Sequence, residues 1–135
     1  MNEPGAPPAP RRLIAVQKMA AEVVDGVLRG ASLSSLLGSP QRHRLDAWQR
    51  TAVQDAAYGT LRHLGSLRAH LSQLVRQPLR QSILESLLLV AIYQLQHSRA
   101  APHAVVDNAV GCATAIGAGA AKGLVNAGFT CREQL

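Results

Sequence analysis

The 135-residue chain is 47% apolar and carries 14 Lys and Arg residues against 8 Asp and Glu residues, a formal net charge of +6. This length allows one domain with a core of its own. The surplus of basic residues favours a polyanionic partner over a basic soluble protein without one, and among such partners it favours nucleic acid before an acidic membrane. Two isolated cysteines indicate neither a disulfide framework nor a zinc site. Residues 2–10 hold no apolar stretch typical of a signal peptide, and the longest apolar run, 83–95, is too short to span a bilayer. We therefore expect a cytoplasmic protein with no membrane partner.

The first third of the chain predicts an arm and two helices. Residues 1–10 are rich in proline and predict an extended, disordered arm. A helix with one apolar face is predicted from Pro10 to Gly30, because proline suits a first helical position. Ser32 is predicted to cap a short helix that ends at Leu37.

The middle of the chain predicts two further helices with a weak point between them. The third helix is predicted to begin at Leu45 or Asp46, and Gly59 and Gly65 are positions where it could bend or give way to the next. Leucines then recur at spacings of three and four, at Leu64, Leu67, Leu71 and Leu74. This spacing predicts a buried helix face, and it leaves Arg62, Ser66 and His70 facing outward.

The last part of the chain predicts a central helix and its neighbours. Residues 82–95 are apolar on nearly every side, which is typical of a helix surrounded by others. A helix is predicted to begin at Pro102 and to end near Ile116. A flexible break is predicted at residues 117–121, and a last helix at residues 123–132. Because no long stretch alternates with a period of two, we expect an all-α bundle of about six or seven helices.

The residues offer little that would support catalysis. The segment GAGAAKG lacks the third glycine of a dinucleotide-binding loop and follows no strand, so a flexible connection is the better interpretation. Cys112 lies among small apolar residues and is interpreted as a packing residue, while Cys131 has no evident base beside it. The five histidines form no metal-binding pair. We therefore predict no cofactor site, no metal site and no enzymatic activity for this chain alone.

Three segments resemble a known family. DAAYGTLRHLGSLRAHLSQL, SLLLVAIYQLQHSRAAPHAVVDNAV and KGLVNA occur in the order and spacing of the NusB-like fold. More closely, they resemble the N-terminal NusB-like domain of the RsmB/Sun/Fmu family of bacterial 16S rRNA cytosine-C5 methyltransferases, in which YGTLRHL distinguishes this branch from the antitermination factor NusB. The resemblance covers residues 11–127. It departs at residues 128–130, where GFT replaces an apolar pair and a basic residue.

The resemblance implies a NusB-like RNA-binding domain over residues 11–135 that positions small-subunit rRNA for methyl transfer. S-adenosylmethionine and the catalytic cysteines would belong to a methyltransferase domain that these 135 residues do not include. Two alternatives stay open. One is a free-standing antitermination factor that binds RNA together with a ribosomal protein, and the other is a helical interaction domain that binds no RNA.

The candidate RNA contacts are basic or polar residues from four parts of the chain: Arg11, Arg12, Lys18, Arg62, His63, Arg99, Lys122 and Asn126. Arginine and lysine would pair with phosphates, which makes affinity depend on salt and gives little sequence readout. Trp, Tyr and Phe are only 3% of the residues, so contacts to phosphate, sugar and shape are expected to dominate. The competing interpretation is a solvated polar face, and for Asn126 a local helix end.

Overall fold

A computed structural model describes residues 10–38, 44–75, 79, 81–98 and 101–116. These residues form six helices: α1 (Pro10–Leu28), α2 (Leu33–Leu37), α3 (Ala47–Arg62), α4 (Leu64–Leu74), α5 (Ser82–His97) and α6 (Pro102–Ile116). No strand occurs among them, which confirms the all-α prediction. None of these helices is long and apolar enough to cross a membrane.

Several predicted features lie outside the described residues. They are the proline-rich segment before Pro10, the flexible break at 117–121 and the last helix at 123–132. Pro10 itself is the first residue of α1, as the sequence indicates.

The helix α5 forms the centre of the fold. It packs against α1, α3, α4 and α6. Its buried residues are Leu84 and then seven in succession: Ser86, Leu87, Leu88, Leu89, Val90, Ala91 and Ile92. A helix that is apolar all round must be covered on every side, so the prediction of a central helix over 82–95 is confirmed.

The helices α1 and α5 run antiparallel. Near one end Gln17 Nε2 donates to Gln94 Oε1 at 2.8 Å, and near the other Arg29 Nη2 donates to Ser82 Oγ at 2.6 Å. Gln17 is buried and its Nε2 also donates to the Val105 carbonyl of α6 at 3.3 Å. One glutamine thus joins three helices, and the first turn of α1 lies toward the end of the molecule where α5 stops.

The third helix begins as predicted but ends at a different residue. Asp46 caps α3 by accepting from the N–H of Gln49 at 2.8 Å, while the Gln49 side chain accepts from the N–H of Asp46 at 3.0 Å. This reciprocal capping box fixes the start of the helix. The helix gives way to α4 at His63, which lies between the two glycines predicted as weak points.

The leucine stripe of α4 faces the core as predicted. Leu67 and Leu71 are buried, and Leu64 and Leu74 pack against the same cluster. His70, which was expected to face outward, is half-buried and its Nδ1 lies 2.8 Å from Gln96 Nε2 of α5. Its position follows from the packing of α4 against α5, which the helical periodicity of one segment cannot show.

Candidate nucleic-acid interface

The junction of α3 and α4 exposes two of the predicted contact residues. His63 is the single residue between the helices, with φ −108° and ψ 22°. Its N–H donates to the Gly59 carbonyl at 3.1 Å, and its own carbonyl accepts from the Leu67 N–H at 3.0 Å, so both backbone groups stay bonded through the turn. Arg62 and His63 are both exposed. The structure therefore exposes a guanidinium group and an imidazole from consecutive residues of the junction.

Three aromatic rings meet at this junction. Tyr93 and His97 are one turn apart on α5, so their side chains share a face, and the rings lie 4.9 Å apart between centroids. His63 reaches across from the junction, 5.0 Å from His97 and 6.2 Å from Tyr93. The planes of His63 and His97 differ by only 12°. We call these three residues (His63, Tyr93, His97) the ring cluster.

A glycine makes room for the ring cluster. Gly59 is buried in α3, and a Cβ atom added there would overlap the ring of Tyr93. Glycine costs about 1 kcal/mol in a helix interior relative to alanine. At Gly59 the missing side chain lets α3 approach Tyr93 closely. This close approach brings Tyr93 and His97 within reach of His63.

Burial and two charges of opposite sign on α3 act on the hydroxyl of Tyr93. Burial raises the pKa of Tyr93 above its ordinary value, Asp55 adds to the rise, and Arg62 opposes it. Asp55 and Arg62, which are both exposed on α3, therefore lie close enough to Tyr93 to influence it electrostatically. A tyrosine hydroxyl is already protonated near neutral pH, and the raised pKa of Tyr93 keeps it protonated to still higher pH, as a neutral ring beside the two imidazoles.

A fourth ring lies on the same face of α3 as Arg62. Tyr58 precedes Arg62 by four residues, a spacing that puts two side chains on one helix face, and it is 56% exposed. The surface around the junction thus combines a cation with exposed rings. This combination is typical of proteins that bind single-stranded nucleic acid.

The remaining predicted contact residues are distributed differently. Lys18 is half-exposed on α1, where its Nζ lies 3.7 Å from Glu22 Oε1. Arg11 and Arg12 lie in the first turn of α1, toward the end of the molecule that holds the ring cluster. The other three predicted contacts, Arg99, Lys122 and Asn126, lie outside the described residues.

Sequence reasoning missed Tyr93 and His97. Tyr93 lies in the predicted helix over 82–95, and His97 follows it by four residues, the spacing that puts two side chains on one face if the helix continues, so the pair was a usable signal. The count of aromatic residues included only Trp, Tyr and Phe, whereas imidazole rings also stack on nucleotide bases. The partner ring, His63, lies thirty positions earlier in the chain and could not be assigned to this cluster without the fold.

The chain's described cysteine has a packing role. Cys112 is buried, and its Sγ donates to the Ile14 carbonyl at 3.2 Å. Burial raises the pKa of the Cys112 thiol to about 12, which disfavours the thiolate needed for nucleophilic chemistry. In the described ranges, no group of three or more His, Cys, Asp and Glu residues could hold a metal ion.

The comparisons with known proteins point in one direction. The model of the NusB family matches residues 11–127. Ribosomal RNA small subunit methyltransferase B of Pasteurella multocida is 37% identical over 117 residues, which are 84% of this chain and 26% of that protein. The proteins of the same name from Pectobacterium atrosepticum and Pseudomonas syringae pv. tomato are each 40% identical, over 114 and 111 residues.

The matched relatives are much longer than this chain. The chain spans about a quarter of the length of the curated relatives it matches, with 26% of the Pectobacterium protein and 25% of the Pseudomonas protein covered. No solved structure matches the chain. The similarity therefore concerns about a quarter of each of these longer proteins.

Proposed function

Because the chain belongs to the NusB family, we propose that it is an RNA-binding domain that positions small-subunit rRNA for a cytosine-C5 methyltransferase. The observation that carries this proposal is the exposed Arg62 beside the ring cluster, in a chain with a net charge of +6. Arginine pairs with phosphate oxygens in two-point geometry, and rings accept the faces of bases. The names of the matched relatives support the choice of rRNA as the target.

In this proposal, methyl transfer takes place in a part of the longer methyltransferases that lies outside the region similar to this chain. The described residues form helices only, and they offer no strand followed by a glycine-rich turn and a helix on which a nucleotide-like cofactor could bind. S-adenosylmethionine would supply the methyl group in the catalytic region of the longer relatives. The role of this chain is then to hold the RNA, and its own residues move no methyl group.

Salt-dependent binding of RNA tests the proposal. The chain is titrated into a fluorescein-labelled fragment of 16S rRNA, and the dissociation constant is measured by anisotropy between about 50 and 200 mM salt. We expect affinity to fall steadily as salt rises, because each lysine or arginine contact with a phosphate releases counterions. A flat response, or no binding, would contradict the proposal and favour a helical interaction domain.

Substituting Arg62 tests the surface. Arg62→Ala is expected to weaken binding and to lower the slope of log affinity against log salt by about one. Arg68→Ala is the matched control, since Arg68 is also exposed but lies 3.1 Å from Glu85, about 18 Å along α5 from His97. Equal effects of the two substitutions would show that only total charge matters, and the assignment of this surface would be wrong.

A further inference from the structure

The ring cluster is unusual for its exposure. His63 and His97 are exposed and Tyr93 is half-buried, although the three rings stack with nearly parallel planes. Exposed rings bury little apolar area against one another, so they contribute little to the stability of the fold. Aromatic residues are also scarce in this chain, at 3%. The stacking of Tyr93 with two exposed histidines at one junction therefore calls for a role other than filling the core.

The neighbourhood of the ring cluster fits a nucleotide. Arg62 precedes His63 directly and supplies a cation for a phosphate, while the imidazole planes supply flat surfaces for a base. The faces of bases inside a duplex are covered by their neighbours. Only an unpaired base, in a loop, a bulge or a single strand, has a face available for stacking.

We propose that the ring cluster is a stacking platform for one unpaired nucleotide of RNA, whose base lies on the imidazole of His97 and whose phosphate pairs with Arg62. This inference rests on the proposed function, since it assumes that the chain binds RNA. Tyr93 is a positioning residue in this arrangement. It packs against Gly59 and holds His97 beside His63.

The test distinguishes contacts with the base from contacts with the phosphate by comparing variants with and without a ring at position 97, each on RNA-like oligomers with and without bases. His97→Ala removes the ring, whereas His97→Phe keeps a ring that stacks but cannot carry charge. His103→Ala is the control, because His103 is an exposed histidine on α6 outside the ring cluster. The ligands are a labelled oligouridylate of about 12 nucleotides and an oligomer of the same length with the bases removed. Folding of each variant is checked by circular dichroism.

Removing the His97 ring is expected to reduce affinity only for the oligomer that carries bases. The wild-type chain should bind the oligouridylate at least about fivefold more tightly than the abasic oligomer, which is the lower end of the range for one stacked base. His97→Ala should lose that preference and bind both ligands alike. His97→Phe and His103→Ala should keep it. Non-additivity of the protein change and the base change would identify the ring and the base as partners.

Two different outcomes would overturn the proposals separately. If the wild-type chain binds both oligomers equally, or if His97→Ala changes affinity by less than about twofold, then contacts are to phosphate alone and the stacking platform is wrong, while the RNA-binding function stands. If the wild-type chain binds neither oligomer nor the rRNA fragment at any salt concentration, then the proposed function itself fails.

Discussion

At the scale of the residue, two glycines near the α3–α4 junction have opposite environments. Gly59 is buried, and a Cβ atom there would overlap the ring of Tyr93. Gly65 is exposed on α4, and a Cβ atom there would meet no atom within 4 Å. Only Gly59 is required by a close approach.

Alanine at these two positions should therefore change stability in opposite directions. Gly59→Ala gains about 1 kcal/mol of helix propensity but forces the Tyr93 ring aside, at about 1–3 kcal/mol, so a net loss of about 1 kcal/mol is expected. Gly65→Ala should be neutral or stabilising by up to about 1 kcal/mol. Urea denaturation measures both changes in the free energy of unfolding.

The position of the rings gives a second measurement on the same variants. Moving Tyr93 should shift the NMR signals of the His63 and His97 ring protons in Gly59→Ala, because stacked rings shield one another. The same signals should stay in place in Gly65→Ala. Unchanged histidine signals in Gly59→Ala would contradict the role of Gly59 in placing the ring cluster.

The sequence predicted part of the candidate site at this scale. Arg62 was predicted to leave the buried leucine side, and it is exposed. Tyr93 and His97 were not connected with His63, because a hydrophobic pattern describes one helix at a time. Their meeting depends on the packing of α5 against α3 and α4, which single-sequence periodicity does not contain.

At the scale of the element, helix starts were well predicted and one helix end was not. Asp46 and Ser32 bring their own hydrogen-bond acceptors to the first turn, so local chemistry is sufficient to locate α3 and α2. The end of α3 at His63 has no such local signal, since histidine has an ordinary helix propensity. The chain turns where the rings of α5 contact it, thirty and more positions later.

The two caps should differ in their effect on the whole domain. Asp46→Ala removes the capping box of α3, a helix with six buried residues, and should lower the free energy of unfolding by about 0.5–2 kcal/mol. Ser32→Ala is the control. Its Oγ accepts from the Ser35 N–H at 3.2 Å, but α2 has no buried residue, so the loss should be about 0.5 kcal/mol or less.

Chemical denaturation followed by circular dichroism checks the comparison of the caps. A smaller loss for Asp46→Ala than for Ser32→Ala would show that α3 is held by its packing alone. The capping box would then have no measurable part in the stability of the domain.

At the scale of the whole molecule, buried glutamine joins helices that are far apart in the chain. Gln17 of α1 bonds to Gln94 of α5 and to Val105 of α6, across 77 and 88 positions. A polar group without a partner is costly in the interior, so these bonds restrict how α1 can lie on α5 and α6. The net charge predicted an anionic partner but not where it would bind. The hydrogen bonds of Gln17 indicate that the start of α1 and the end of α5 lie toward the same end of the molecule.

Removing that connection should destabilise the whole bundle. Gln17→Met keeps a similar volume and removes the donor to Gln94 and Val105, but it also removes Gln17 Oε1, a buried oxygen without a hydrogen-bond partner. Removing that oxygen offsets part of the lost bonds, so a loss of about 1 kcal/mol in the free energy of unfolding is expected. Gln73→Met is the control, because Gln73 is exposed on α4. Urea denaturation measures both, and equal stability of the two variants would mean that the buried bonds contribute nothing net.

The long-range packing of α1 has a consequence for synthesis on the ribosome. Ile14 accepts a hydrogen bond from Cys112, 98 positions later, so α1 is synthesised well before its partner α6. At about 5–20 residues per second, roughly 5–20 s pass between the two. During that interval the valine-rich face of α1 has only part of its cover. A bundle with such distant pairings is expected to fold more slowly than one built from neighbouring helices, and to present a hydrophobic helix to chaperones first.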